Sequence, residues 1–262
     1  MVYLGTSGYS YQDWIGPFYP HGIEKGDMLP FYSQTFSFVE INSTYYQMPN
    51  FFAVRQWDIK TPDSFLFSVK AHGSMTHSRD AGRDEFKKFC DAMGPLRDKG
   101  KLAGFLFQFP YSFHFGTKEM DYLRQIRDYI PDDDIFIEFR NNRWVCQVVF
   151  DLMKELRFGF VCVDEPDIKG LVKPIVVSTN SKGYIRFHGR NKKNWYNHQQ
   201  AYERYNYLYT EDELEEWLPK IQRLEKYAER LYITFNNHFR AQGVINGKML
   251  QNLLLEKGSP LT

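Results

Sequence analysis

The sequence predicts a parallel α/β barrel of the (β/α)8 TIM type, and three observations carry that expectation. Eight short strand patterns rich in Val, Ile, Phe and Tyr alternate with helical patterns, which is the signature of βαβ units. In most of these strands one face is apolar throughout, while the other turns polar at its C-terminal end. A closed barrel requires this arrangement, because the apolar face meets the helices and the inward face ends at the loops that build a site. The 262 residues suit one such barrel over 1–262. A doubly wound open sheet is the runner-up, but it gathers its ligand at one switch point rather than spreading polar ends around most strands.

In chain order, Val2–Thr6 reads as a strand running into the turn Gly5-Thr6-Ser7-Gly8. An aromatic loop follows from Tyr9 to Pro20, punctuated by Gly16, Pro17 and Pro20. It serves either a ligand or as an aromatic plug over one barrel end. Phe38–Asn42 places Phe38, Glu40 and Asn42 on one face, and Phe65–His72 places Ser68, Lys70 and His72 opposite Phe65, Phe67 and Val69. Ala103–Phe109 sets Leu106 and Gln108 against three phenylalanines. Ile135–Arg140 sets Phe136, Glu138 and Arg140 against Ile135, Ile137 and Phe139. Phe160–Asp164 pairs Cys162 with Asp164, Tyr184–His188 aligns Tyr184, Arg186 and His188, and Leu231–Asn236 aligns Tyr232, Thr234 and Asn236.

Between the strands, Phe86, Phe89, Cys90 and Met93 recur at helical spacing, as do Val145, Val148, Val149, Leu152 and Leu156. The clearest helix is expected over Glu211–Arg230. Thr210 and Glu213 form a capping box, and Leu214, Trp217, Leu218, Ile221 and Leu224 form the stripe. Its acidic start and basic end suit the helix dipole.

Composition narrows the function classes. A net charge of +1 provides no global field to recruit nucleic acid or a membrane surface. The 23 Phe, 18 Tyr and 5 Trp exceed what a core needs, and many fall in loops. Cys90, Cys146 and Cys162 are odd in number and lack C-x-x-C spacing, so neither a disulfide framework nor a zinc knuckle is expected. No signal peptide is visible, and no apolar run approaches the ~18 residues of a membrane span. A cytoplasmic protein without membrane partners is expected.

The inferred mouth collects Glu40, Asn42, Lys70, His72, Gln108, Glu138, Arg140, Asp164, Arg186, His188 and Asn236. Each has an ordinary structural explanation, such as a Glu138 ion pair with Arg140 or Arg186. Together they line one end of a packed barrel with more polar groups than stability alone rewards. Glu40, Glu138, Asp164, His188 and His77 are the candidate acid/base groups; His77 lies in Met75-Thr-His-Ser-Arg79, where capping a helix start is its ordinary role.

Three carboxylates and two histidines leave a divalent metal open, but Lys70, Arg140 and Arg186 would repel a cation and no ligand-spacing motif is present. No cofactor is assigned. Those cations instead favour an anion, since a guanidinium binds phosphate or carboxylate through its planar fork. Arg140 and Arg186, with Lys70, are expected to hold it. The loop from His188 to His198, continuing through Tyr202, Arg204, Tyr205, Tyr207 and Tyr209, interleaves basic and aromatic residues. That pattern suits a ligand with phosphate and a stackable ring. Trp195 and Tyr196 are expected to close over the anion, with Arg190 reaching in. Neither a P-loop nor a dinucleotide fingerprint occurs.

Several motifs resemble the YecE-like family, domain of unknown function 72. They are Gly5-Thr-Ser-Gly-Tyr9 with Trp14 and Phe18-Tyr-Pro20, Val39-Glu-Ile-Asn-Ser-Thr-Tyr45, Phe65-Leu-Phe-Ser-Val-Lys70, Thr76-His77 and Gln108-Phe-Pro110. Ile137-Glu-Phe-Arg140 with Trp144, Arg186-Phe-His-Gly189 with Trp195-Tyr196, and Phe235-Asn-Asn-His238 complete the match. The resemblance spans nearly the whole chain, implies a TIM-type barrel, and adds Tyr45, Trp144 and Asn237 to the expected binding residues. It supplies no reaction; the family's likeness to endonuclease IV and xylose-isomerase-type barrels points to phosphodiester or sugar chemistry by fold analogy alone. Asn141 stands where the family often has His, and Gln47 where it often has Arg, which trims metal-binding and basic capacity.

Two function classes follow. One is an enzyme, such as a hydrolase or lyase, acting on a phosphorylated, nucleotide or sugar-type substrate. The other is a non-catalytic binder of a small anionic or nucleic-acid ligand. A protein scaffold gives no reason for inward polar strand ends. Oligomeric state is left open.

Overall fold

The computed structural model describes residues 1–200 and 202–262. Eight parallel strands close into a barrel in sequential order. They are β1 (Val2–Ser7), β2 (Phe38–Ile41), β3 (Leu66–Lys70), β4 (Leu102–Gln108), β5 (Ile135–Glu138), β6 (Phe158–Asp164), β7 (Lys182–Phe187) and β8 (Arg230–Phe235). Closure comes from β1 pairing with both neighbours, Ser7 opposite Glu40 and Thr6 opposite Phe235. Each predicted strand is present, within two residues of its predicted ends.

The strand faces sort into two cores. Outward residues such as Val39, Phe67, Phe105, Ile137 and Ile185 pack under the helices. Inward residues Tyr3, Phe38, Leu66, Leu106, Phe136, Val161, Tyr184 and Tyr232 fill the lower barrel as a separate cluster. Phe136 fits there because glycines flank it on both sides. A Cβ at Gly104 would come within 2.9 Å of its ring and one at Gly159 within 2.5 Å. With the bottom closed by aromatics, polar groups are confined to the C-terminal layer above.

The outer ring comprises α1 (Met28–Tyr32), α2 (Phe51–Ile59), α3 (Arg83–Ala92), α4 (Thr117–Tyr129), α5 (Gln147–Glu155), α6 (Glu211–Glu215), α7 (Leu218–Glu225) and α8 (Gln242–Glu256). The long helix expected over Glu211–Arg230 is two. The Thr210–Glu213 capping box opens α6, and Pro219 starts α7, where its missing N–H costs no helical hydrogen bond. The apolar stripe survives the break, with Leu214, Trp217, Leu218, Ile221 and Leu224 all buried. On α5 the expected stripe is narrower, since Val148 is exposed. A further departure from strict strand–helix alternation is the irregular connection over 165–181 between β6 and β7. Among the described residues no helix is long and apolar enough to cross a membrane.

Most of the aromatic loop after β1 is packing. Trp14 is fully buried and donates its indole N–H to the His238 carbonyl at 2.6 Å, and Tyr19 is buried beside it. Tyr11 lies flat against the His238 ring, 4.7 Å between centroids, and forms part of the mouth's rim.

Candidate active site

The C-terminal layer of the barrel is an ion network centred on Arg186. From β7 it reaches Glu40 on β2, with Nε donating to Oε2 at 2.8 Å and Nη2 to Oε1 at 2.6 Å. Its Nη1 donates to Glu138 Oε2 on β5 at 2.5 Å, and Nη2 also reaches Ser7 Oγ at 3.3 Å. Arg140, just past β5, pairs through Nε with Glu138 at 2.8 Å and through Nη1 with Glu165 at 2.6 Å. Glu40, Glu138 and Arg186 are all essentially inaccessible, so each charge depends on the others.

Burial would raise the Glu138 carboxyl, but Arg140, Arg186 and His188 outweigh it and hold it well below the usual range. Three carboxylates share two guanidiniums, however, and the surplus negative charge falls on Glu165. Its burial, with Glu138 as an adjacent like charge, overcomes the Arg140 contact and pushes its pKa up to about 7. The Val172 N–H donates to its other oxygen at 3.1 Å.

His188 is fully buried, 3.2 Å from Glu138 Oε1 through Nε2. Its Nδ1 lies 3.0 Å from the Asn236 amide nitrogen. An amide N–H facing Nδ1 fixes the neutral tautomer with its proton on Nε2. Burial, then the nearby Arg140 cation, lower its pKa to about 3. His188 is therefore a neutral ring set against Glu138 rather than a second cation, and the pair is a close approach without hydrogen-bond alignment.

Above this floor lie two adjoining cavities of about 390 and 330 Å³ that share Tyr45, Tyr46, Lys70, Gln108 and Tyr205. The first adds Asn42, Asn236, Tyr11 and His238; the second adds His77, Arg140, Tyr111, Trp195, Tyr196 and Arg204. Aromatic faces, amides and cations dominate both walls.

Lys70 occupies the seam. Its amine donates to Gln108 Oε1 at 2.9 Å and sits 4.8 Å from the centre of the Tyr45 ring. Among the described residues no carboxylate forms a salt bridge with it. Burial, reinforced by Arg186, lowers its pKa to about 8, with Glu40 opposing. On the edge of the same Tyr45 ring stands His77, 4.9 Å between centroids. Burial and the Lys70 charge push His77 down to about 4, so it is neutral at pH 7. Helix capping falls instead to His72, which precedes the short helix Gly73–Thr76 and whose ring accepts from the Ser74 N–H at 3.2 Å.

In the second cavity Arg140 and Arg204 both lie over the Trp195 ring, 5.5 and 5.3 Å from its centre. Arg204 Nε donates to the Trp195 carbonyl at 2.8 Å, and no carboxylate pairs with it among the described residues. Arg140 likewise has Nη2 without a protein partner there. The cavity is thus lined by Lys70 and Arg204, which no carboxylate pairs among the described residues, and by Arg140, which two carboxylates hold in place.

Of the residues expected from the sequence, Asn42, Tyr45, Lys70, His77, Gln108, Arg140, Arg186, Trp195, Tyr196 and Asn236 line the two cavities. Glu40, Glu138 and His188 lie beneath them. Several expectations are corrected. Trp195 is a buried wall rather than a closing cover, whereas Tyr196 is exposed. Arg186 is committed to carboxylates on all three nitrogens.

Asp164 points outward, because β6 turns Phe160 and Cys162 to the helices and Val161 and Val163 to the barrel interior. It accepts from Tyr209 Oη at 2.7 Å, Trp217 Nε1 at 2.8 Å and Arg190 Nη2 at 2.9 Å. Arg190 is occupied there and by Glu216 at 2.8 Å, so it does not reach the mouth. Trp144 is fully buried, donating to the Phe113 carbonyl at 2.7 Å and stacked on Phe139. Asn237 ties the Tyr207 carbonyl to Asn246, at 2.8 and 2.9 Å. Arg204 lines the mouth where Arg190 was expected, and Glu165 rather than Asp164 joins the network, through Arg140.

A family model described as "Protein of unknown function DUF72" matches residues 3–261. The "UPF0759 protein YunF" of Bacillus subtilis is 31% identical, with 97% of this chain and 95% of the relative covered. The "UPF0759 protein YecE" of Escherichia coli is 27% identical over 51% of this chain and 46% of its own length. A crystal structure of a DUF72 family protein from Thermotoga maritima superposes with a TM-score of 0.90 at 34% identity, covering 97% of this chain and 99% of the other. One from Enterococcus faecalis gives 0.87 at 27% identity, covering 97% and 96%.

Proposed function

The chain belongs to the DUF72 family, and we propose that it is an enzyme acting on a phosphorylated sugar or nucleotide-type substrate in the double cavity at the C-terminal mouth. One observation carries this reading. The second cavity brings Lys70, Arg140 and Arg204 to one space that also holds a neutral histidine, His77. Lys70 and Arg204, which have no carboxylate partner among the described residues, supply anion contacts, and a charge-assisted hydrogen bond contributes on the order of 1.5–3 kcal/mol. Aromatic walls from Tyr45, Tyr205 and Trp195 suit sugar or base rings. His77, neutral at pH 7, can accept a proton, and Lys70, titrating near pH 8, can donate one or take one up.

In this reading Glu40, Glu138 and His188 are positioning residues that fix Arg186 and Arg140 from below. Their full engagement is also what favours a second reading, a non-catalytic binder of the same ligand class. The three cysteines are free thiols, which suits the reducing cytoplasm proposed as its compartment.

Calorimetric titration with inorganic phosphate, a sugar phosphate and a nucleoside monophosphate, at low and moderate salt, tests anion binding in the parent and in Arg204→Ala. Binding to the parent that weakens with salt and in the variant supports the site. If none of the three binds the parent, the reading is wrong. Phosphate release or bond cleavage with any bound ligand separates enzyme from binder.

A further inference from the structure

We propose that Lys70 is a nucleophilic amine that forms an imine with a small anionic carbonyl compound, such as an aldose phosphate, ketose phosphate or oxo acid. This deepens the anion-site reading and rests on it for the placement of the substrate's charged group.

A fully buried lysine offers the comparison with the half-buried Lys70. Lys101 is 1% exposed, and its ammonium is paired with Asp58 at 2.9 Å and hydrogen-bonded to the Asp58 and Thr61 carbonyls at 2.9 and 3.0 Å. That is how a lysine is kept cationic in an interior. Lys70 is treated in the opposite way. Its one hydrogen bond goes to a neutral amide, its neighbours Arg140 and Arg186 are cations, and their carboxylates are consumed by those guanidiniums. A cationic neighbourhood without a counter-ion is one of the two ways a lysine is made nucleophilic, burial being the other. Consistent with the geometry, roughly half of Lys70 is free base at pH 8, against roughly one in 250 for an ordinary lysine.

Position agrees with this role. Lys70 ends β3 at the seam of both cavities, so a substrate placed in either one meets its amine. An anionic group held by Arg204 and Arg140 shares one cavity with the Lys70 amine, and the substrate's carbonyl carbon is assigned to that amine. Lys70 gives up its ammonium proton as the amine lone pair attacks that carbon, and the carbonyl oxygen takes that proton up. The resulting carbinolamine loses water as its C–O bond breaks, leaving a protonated imine. His77, neutral beside the same tyrosine ring, can relay the protons.

The test uses the full chain with pyridoxal 5′-phosphate and with pyridoxal, trapped by borohydride and mapped by peptide mass spectrometry. Labelling of Lys70 is expected to exceed that of any other lysine by more than about tenfold and to level off above pH 8. Inorganic phosphate should compete with the phosphorylated probe, and Lys70→Arg, which keeps the cation but cannot form the imine, should lose the label while retaining its melting temperature. Label spread over surface lysines such as Lys87, or undiminished in Lys70→Arg, overturns the inference. Phosphate binding in calorimetry with Lys70 unlabelled overturns it while leaving the anion site standing. Labelling by pyridoxal without phosphate binding keeps the amine and removes the anion site.

Discussion

Arg186 and Glu40, brought together from β7 and β2, form a bidentate pair at 2.8 and 2.6 Å in the closed interior of the barrel. Because Tyr184 Oη also donates to Glu40 at 2.9 Å and Glu138 takes the remaining side of the guanidinium, the pair is the structural centre of the upper layer.

Removing that guanidinium leaves two buried carboxylates unpaired. Arg186→Ala is expected to lose about 3–5 kcal/mol of stability, and Arg186→Lys most of the same amount, since an ammonium cannot reproduce the fork. Denaturant unfolding of both variants measures this; a loss under about 1 kcal/mol would show that the network is not structural.

Glu165 predicts a pH dependence of known sign. Its folded pKa of about 7 lies above the ordinary 4.5, so its stabilising contribution is complete below pH 4.5 and is lost as pH rises through 7. Glu165→Gln removes this term. Relative to the parent, the variant should gain on the order of 2–3 kcal/mol between pH 4.5 and 8. His188 and His77 act oppositely: both are depressed, so stability falls as pH drops below 6.5, but they cancel in the parent–variant difference. Unfolding free energies at pH 4.5, 6 and 8 decide it, and a pH-independent difference would remove the assigned proton from Glu165.

Lys70 should separate function from stability. Its charge is disfavoured by the fold, a cost present below pH 8 and relieved between about 8 and 10.5. Lys70→Met is therefore expected to leave stability unchanged or raised at pH 7. Anion affinity should fall about tenfold or more. A destabilised variant with intact binding would reverse that assignment.

Asp164→Asn should do the converse. Its carboxylate joins Arg190, Tyr209 and Trp217 on the outer face of β6, and losing that charge is expected to cost about 3–5 kcal/mol. Phosphate affinity should stay unchanged. A selective loss of affinity in a folded variant would place Asp164 at the mouth after all.

The barrel was legible because period-2 alternation survives in most strands, β4 slipping by one residue where its register against β3 shifts at Ala103, and the polar ends of β2, β3, β4, β5, β7 and β8 face inward. On β6 both faces are apolar, Phe160 and Cys162 against Val161 and Val163, so the polar Asp164 alone suggested the inward register. Counting from the valines instead would have selected Glu165. Trp144 and Asn237 were misassigned because motif membership does not distinguish a residue that packs beside a site from one that faces it. Arg204 was visible only as part of a basic, aromatic loop, since loop residues carry no parity to fix their direction. The commitment of Arg186 to Glu40 and Glu138 depends on contacts across 146 and 48 residues, which no local pattern encodes.

The central claim, an anion site formed by Lys70, Arg140 and Arg204, is tested most directly by a crystal structure of the chain soaked with a sugar phosphate. Phosphate oxygens within hydrogen-bonding distance of Arg140 Nη2 and Arg204, with the sugar against Tyr45 or Tyr205, is the predicted result. A sugar phosphate bound elsewhere on the molecule, or a mouth that stays without it under saturating conditions, would contradict it.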